Sequence, residues 1–390
     1  MKHYLKIVTI FFLRILLRAF YVFPVKKNRI LFSSFEGKNY GCNPKYIYEY
    51  MYKHWGDSYE YVWCLNDSSS LPLEYKATCV RFLSMPHLYY LLTSKAIISN
   101  MGIEPMLPKR KKQLFINTWH GGGAYKIGKL TARFISKPRR FSTETMHKIR
   151  AKMTNYVISS CSAFTECNSV KWGIDKKQFV PIGMPRNDLF FSQADKQSIR
   201  NKITSLYHIN SDKALVLYAP TFRGEYREST NTDLQIKPQQ VCASVKERFG
   251  KEAVMLYRCH IGTEDLKLKD TVDVSGYQDK QELLLIADVF ITDYSSSIWD
   301  YSFTGKPGFL FTPDLQEYKE EVDFHTPIDL WPYPYAQTVE ELCEMILKYD
   351  EIEALHRIHA HHTLLGSYEN GNATSEICKI IKESSYIDKK

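Results

Sequence analysis

Short apolar runs alternate with longer amphipathic stretches along this chain. From Asn28 onward, β-rich runs at 29–33, 59–64, 96–99, 113–117, 156–160 and 178–182 are predicted as strands. Between them, 44–54 and 85–94 carry apolar residues at helical spacing. A second series follows, with a helix over 196–207 and strands at 214–219, 253–257, 272–275, 289–292 and 308–311. Helices over 281–287 and 296–304 fall between those strands, and helices over 339–349 and 374–383 close the chain. The Pro-rich piece 326–335 reads as a crossing loop. Strand–helix alternation predicts an α/β protein with mostly parallel sheets covered on both faces. The expected division is an amphipathic segment 1–27, one α/β domain over 28–190 and a second over 191–390. Two doubly wound sheets facing each other place a ligand cleft at the carboxyl ends of their strands.

Residues 7–23 are almost entirely apolar but are interrupted by Arg14 and Arg18. Each arginine near the middle of a span costs roughly 2.5–3.5 kcal/mol on insertion scales, which argues against a crossing helix. On a helical wheel Lys2, Lys6, Arg14 and Arg18 share one side with His3, and Leu5, Val8, Phe12, Ile15, Leu16 and Ala19 share the other. That pattern predicts a helix lying in a membrane interface. The rival readings are a docked core helix and a signal peptide; Pro24-Val25-Lys26-Lys27 is no small-residue cleavage site.

The composition, 44% hydrophobic and 24% charged over 390 residues, is that of a globular protein and excludes disorder as its main state. Charge adds more. The net +9 is uneven, with residues 1–31 carrying +7 and residues 105–165 carrying +12, so the remainder carries −10. Lys137, Arg139 and Arg140 belong to the second zone and, with Lys2, Lys6, Arg14 and Arg18, are expected to meet an anionic membrane surface. No recognition module accompanies these charges, so nucleic acid is not an expected partner. Nine scattered cysteines without a Cys-x-x-Cys pair fit neither a zinc module nor a disulfide framework, and point to a reducing compartment.

Four constellations carry candidate chemistry. In Asn117-Thr-Trp-His-Gly-Gly-Gly123, His120 follows a buried strand, where a histidine poised near neutrality serves as general base, and Gly121 opens a turn that lets backbone approach a ligand. The same tetrapeptide resembles an esterase oxyanion loop, but no Gly-x-Ser-x-Gly elbow is present. Leu217-Tyr-Ala-Pro-Thr-Phe-Arg223 brings Arg223 to a strand end, as a phosphate ligand or an ordinary surface arginine. Tyr257-Arg-Cys-His260 sets Arg258 and His260 on one face, for a leaving phosphate or for structural contacts. In Ile291-Thr-Asp-Tyr-Ser-Ser-Ser-Ile-Trp-Asp300 a hydroxyl-rich turn precedes a helix: Ser295, Ser296 and Ser297 are candidate N-caps beside amides that favour an anion. The cluster His356, His359, His361 and His362 is expected to be a solvated helical face rather than a metal site.

These boxes, in this order, resemble the CDP-glycerol glycerophosphotransferase family of teichoic acid and capsule synthesis. Ser34-Phe-Glu-Gly-Lys-Asn-Tyr-Gly-Cys-Asn-Pro44, Gly183-Met-Pro-Arg-Asn-Asp188, Asp314-Leu-Gln-Glu-Tyr318 and Glu369-Asn-Gly-Asn372 extend the resemblance over nearly the whole chain after residue 28. It implies a GT-B fold of two Rossmann-like domains and metal-independent, cofactor-free transfer of polyol phosphate from CDP-glycerol or another CDP-polyol, with release of CMP. It implies a peripheral enzyme on the cytoplasmic membrane face acting on a lipid-linked polyol-phosphate or saccharide acceptor. It maps the catalytic histidines to His120 and His260, with Arg258 beside the latter. The phosphate-binding turn maps to 292–297, with Thr292, Asp293, Ser295, Ser296 and Ser297 as its residues. The usual His-Gly-Thr-Pro is here His-Gly-Gly-Gly, the usual Arg-x-His-Pro is Arg-Cys-His-Ile, and an Arg-Gly expected after Tyr318 is missing. A nucleotide-sugar glycosyltransferase of the same fold and a non-catalytic membrane-associated module are the alternatives. A single catalytic unit behind a short amphipathic start suits a primase-like or short-chain enzyme. The sequence carries no sign of oligomeric state.

Overall fold

Neighbouring residues of a strand point to opposite faces, so a strand apolar at every position must be covered on both sides. The apolar stretch Ile30-Leu31-Phe32 of Lys26–Ser33 (β1) behaves in this way. Ile30 and Phe32 enter one core with Trp63, Ile98 and Ile116, whereas Leu31 enters another with Val62, Ile97 and Phe115. The computed structural model describes residues 2–127, 136–193, 195–221, 236–259 and 268–384.

The first sheet comprises β1, Glu60–Cys64 (β2), Thr78–Val80 (β3), Ser94–Ser99 (β4), Leu114–Asn117 (β5), Tyr156–Ser159 (β6) and Phe179–Pro181 (β7). Its order is β3-β2-β1-β4-β5-β6-β7, with every pair parallel. The second comprises Ala214–Tyr218 (β8), Ala253–Tyr257 (β9), Val272–Asp273 (β10), Val289–Thr292 (β11), Gly308–Phe311 (β12) and Tyr335–Ala336 (β13), in the order β10-β9-β8-β11-β12-β13, again all parallel. Each sheet runs outward from its first strand in both directions. Such a sheet has one topological switch point, between β1 and β4 in the first and between β8 and β11 in the second, and ligands bind at the carboxyl ends there.

The chain divides into two compact units. The first takes residues up to His120, the stretch ending at Asp188 and the segment from Ser367; the second takes the segment from Gly121 and residues 189–366. Residues 367–384 thus lie with the first unit, although the sequence reading placed everything after 191 in one domain. The reason is packing: Ile377 and Ile381 of the Ala373–Glu383 helix are buried in the same core as Ile47 and Met51 of the Cys42–Trp55 helix. The helices carry local start signals. Ser84 caps Met85–Thr93 with its hydroxyl, and Thr338 and Glu341 form a capping box on Val339–Leu347.

The Lys2–Leu17 helix packs against the Lys137–Met153 helix with Ile7 and Ile10 buried. Arg14 was expected on a membrane-facing side, but its guanidinium donates to the Pro105 and Leu107 carbonyls at 2.5 and 3.0 Å. Burial lowers its pKa. Lys2, Lys6 and Arg18 are exposed, and so are Leu5, Val8, Phe12, Ile15 and Leu16. Lys137, Arg139 and Arg140 are exposed as well. Among the described residues, no helix is long and apolar enough to cross a membrane.

Candidate active site

At the switch point of the first sheet, the chain leaves β1 through Ser34, β4 through Asn100 and β5 through Thr118. Asn100 is fully buried and joins these exits. Its amide oxygen accepts the Phe35 N–H at 2.9 Å, its amide nitrogen donates to Ser34 Oγ at 3.3 Å, and its carbonyl lies 2.9 Å from His120 Nδ1. A carbonyl only accepts, so Nδ1 carries the proton and the basic nitrogen of the neutral ring is Nε2.

The turn that presents His120 is strained and clamped. Trp119 has φ +51°, in the left-handed region, which costs a non-glycine residue roughly 1–2 kcal/mol. Phe35, Glu36 and Cys42, in the connection after β1, share this feature. Two buried side chains hold three successive carbonyls of the turn. Asn43 Nδ2 donates to Thr118 O at 2.9 Å and Trp119 O at 3.0 Å, and Arg186 Nη1 donates to His120 O at 2.8 Å. Asn43 Oδ1 accepts the Arg186 N–H at 3.1 Å, which locks the two clamps together. Arg186 belongs to Gly183-Met-Pro-Arg-Asn-Asp188, and the rest of that box is tied to the C-terminal segment. Glu369 accepts from the Met184 N–H at 2.9 Å and from Asn187 Nδ2 at 3.0 Å, and Asp188 accepts from the Ala373 and Thr374 amides. Gly183 has φ +84°, and a Cβ there would sit 2.7 Å from Glu369 Oε2. Asn43, Asn100 and Arg186 were not singled out as site residues from sequence, since a backbone carbonyl as partner leaves no spacing signature.

The second unit begins with Gly121, which is buried. The next glycine explains the departure from His-Gly-Thr-Pro. A Cβ on Gly122 would lie 2.0 Å from Trp299 Cδ1, so the buried indole occupies the space a threonine would need. Tyr125 continues this segment, its hydroxyl 2.8 Å from His361 Nε2 and its carbonyl accepting the His325 N–H. His361 and His362 are therefore no solvated face. His361 is 1% exposed with Nδ1 donating to Leu330 O, and His362 stacks on Phe303 at 4.5 Å and meets the Ser302 hydroxyl. Burial pushes both pKa values down to about 4.

At the switch point of the second sheet, Thr292 and Asp293 hold the loop that follows β8. Thr292 Oγ1 donates to Ala219 O at 2.6 Å, and the Asp293 carboxylate accepts both the N–H and the hydroxyl of Thr221. Ser296 occupies the N-cap position of Ser297–Ser302 but makes no side-chain cap; Ser295 Oγ accepts the Ser297 N–H at 3.2 Å instead. Lys280 Nζ donates to Ser297 Oγ at 2.8 Å, and the Ser295 and Ser297 hydroxyls are 2.8 Å apart. The hydroxyl turn thus has a lysine that sequence reasoning missed, because only the fold brings 280 beside 297. Arg258 is buried, and its Nη1 donates to the carbonyls of Val274 and Tyr277 at 3.1 and 2.7 Å. Burial lowers its pKa, with the Asp279 carboxylate acting in the opposite sense. Arg258 therefore fastens the 274–277 turn, the structural one of the two roles that its sequence position allows. Arg223 and His260 lie outside the described residues.

The family model of the CDP-Glycerol:Poly(glycerophosphate) glycerophosphotransferases matches residues 15–383. The chain is 31% identical over 387 residues to a teichoic acid poly(glycerol phosphate) polymerase of Staphylococcus epidermidis, covering 92% of this chain and 51% of that protein. It is 27% identical over 385 residues to the protein of the same name from Bacillus spizizenii, covering 93% and 94%. Among solved structures, the wall teichoic acid polymerase TagF with CDPG superposes with a TM-score of 0.80 at 28% identity, covering 92% of this chain and 89% of that one. The chain spans about half the length of the first curated relatives it matches. With its parallel sheets and the matched span, the chain belongs to the CDP-glycerol:poly(glycerophosphate) glycerophosphotransferase family.

Proposed function

We propose that this chain transfers glycerol phosphate, or another polyol phosphate, from a CDP-polyol to a hydroxyl of a lipid-linked acceptor and releases CMP. The observation that carries the reading is His120, whose Nδ1 is committed to the Asn100 carbonyl at a switch point, leaving Nε2 as the proton acceptor. The acceptor oxygen attacks the β-phosphorus and His120 Nε2 takes the hydroxyl proton. The bond from that phosphorus to the bridging oxygen breaks, and CMP departs with the electron pair. Lys280 and the Ser295 and Ser297 hydroxyls are suited to the phosphoryl oxygens, and His260 to the leaving CMP. In this reading the two units are the halves of a GT-B enzyme, the first serving the acceptor and the second the donor. The scheme invokes no metal or cofactor.

The enzyme is further proposed to work as a peripheral protein on the cytoplasmic membrane face. The exposed apolar row Leu5, Val8, Phe12, Ile15 and Leu16, flanked by Lys2, Lys6 and Arg18, supports contact with an anionic bilayer. The experiment is CMP release from CDP-glycerol and CDP-ribitol with lipid-linked acceptors. His120→Ala is expected to lower kcat by about 10²–10⁴-fold. Near wild-type release by that variant removes the assignment, and UDP release from nucleotide sugars replaces it with glycosyl transfer.

A further inference from the structure

Beside His120 stands a row of aromatic rings that the mechanism leaves unused. Trp119 lies against the His120 ring at 4.2 Å between centroids and against Trp172 at 4.6 Å. Trp172 ends the Ser162–Trp172 helix after β6, and is backed by Phe164 and Phe179 at 5.9 and 6.3 Å. Both tryptophans are only half-buried. Among the described residues, neither indole N–H has a hydrogen-bond partner and neither is buried, although tryptophan N–H groups usually find a partner when enclosed. The position is also held rigidly, with Trp119 in its left-handed conformation under the Asn43 clamp and its backbone N–H donating to Asn117 Oδ1 at 3.0 Å.

We propose that Trp119 and Trp172 form a stacking subsite for the sugar ring of a saccharide-bearing acceptor. The inference rests on His120 being the base, and it names the acceptor class for that reaction. An indole face carries the negative side of a quadrupole, so it attracts the weakly positive C–H face of a pyranose and repels an anionic phosphodiester. The open indole N–H groups are donors for ring hydroxyls. A ring seated on Trp119 has its next hydroxyl presented to the neighbouring His120, the placement that turns attack into an effectively unimolecular step. Rings already locked by Phe164, Phe179 and the Asn43 clamp lose little freedom when the sugar arrives.

The test is saturation-transfer NMR on the full chain with methyl α-D-glucopyranoside and, separately, glycerol 3-phosphate, using wild type, Trp172→Ala and Trp172→Tyr. The pyranoside C–H protons should take up saturation in the wild type at least fivefold more than glycerol 3-phosphate. Trp172→Ala should lose that signal about fivefold, and Trp172→Tyr should keep a substantial part of it, which separates stacking from general damage. In turnover, Trp172→Ala should raise KM for a pyranoside-ended acceptor about five- to tenfold with KM for CDP-glycerol unchanged. Equal pyranoside signals in wild type and Trp172→Ala, or stronger transfer to glycerol 3-phosphate, overturn the subsite. If the transferase reading itself fails, no acceptor supports CMP release while the NMR contrast between variants persists.

Discussion

Asn43→Ala isolates the clamp on the turn that presents His120. Asn43 is fully buried, and its side chain makes three hydrogen bonds to backbone groups, two to the Thr118 and Trp119 carbonyls and one from the Arg186 N–H, besides a weak one to Met184 Sδ at 3.6 Å. At about 1 kcal/mol net for each, removing them costs about 3 kcal/mol, and orphaned buried groups push the value upward. At roughly 2–4 °C per kcal/mol for a unit of this size, the melting temperature should fall by about 6–12 °C. The catalytic effect is separate. The left-handed Trp119 stores strain of roughly 1–2 kcal/mol that the clamp opposes, so without it the turn relaxes and His120 shifts. A misplacement on the order of 1 Å costs about 10²-fold in rate. The assay pairs a melting curve with CMP release resolved into kcat and KM. A fall of about 10² in kcat is expected, with KM for CDP-glycerol near wild type because the donor is assigned to the other unit. Should kcat stay within about threefold while the melting temperature drops as calculated, the clamp supports the fold and the argument that it aims the base is wrong.

Three further outcomes can be checked directly. Gly122→Thr, which restores the family's usual residue, should destabilise by about 1–3 kcal/mol in a melting curve because Trp299 fills the space, and pairing it with Trp299→Ala should recover part of that loss; an unaffected single variant would contradict the packing. His361 and His362 are held neutral with pKa values near 4 against an ordinary value of about 6.5, so their contribution is complete above pH 6.5 and lost as pH falls towards 4, where the unfolded chain binds the protons first. The shift corresponds to about 3 kcal/mol for His361, and His361→Gln should flatten the fall in melting temperature between pH 7 and 5; an unchanged slope would locate the acid sensitivity elsewhere. Replacing Leu5, Val8 and Phe12 together by serine should reduce sedimentation with anionic vesicles at least tenfold, whereas Arg14→Gln should leave it nearly unchanged, since Arg14 faces the Pro105 and Leu107 carbonyls.

Most strands were legible because they hold an apolar run buried on both faces, as in Leu114–Asn117 and Val289–Thr292. Thr78–Val80 and Tyr335–Ala336 escaped because edge strands of three and two residues leave no period to read. The apolar stripe of Ala373–Glu383 was visible, but a stripe does not say which sheet it covers, and it covers the earlier one. The histidines of Glu351–Leu365 show a different failure. Ile358, His361 and Leu365 repeat at helical spacing and are all buried, so His361 belonged to a core stripe, and weighing it as a possible ligand hid that pattern.

The motifs themselves carry the larger physical point. A box of polar residues after a buried strand invites a chemical reading, yet most of these side chains serve backbone groups of neighbouring loops: Asp293 serves Thr221, Arg258 serves Val274 and Tyr277, and Glu369 serves Met184. This follows from topology. At a switch point several strands end together, their loops leave in opposite directions, and each loop brings carbonyls and amides that no sheet ladder satisfies. Buried polar side chains must supply those partners before any ligand arrives. His120 stands apart in the proposed mechanism because the Asn100 carbonyl accepts from Nδ1, which fixes the tautomer and makes Nε2 the basic nitrogen of the ring. Chemistry at such an edge belongs to the side chain whose structural bond leaves its reactive atom defined.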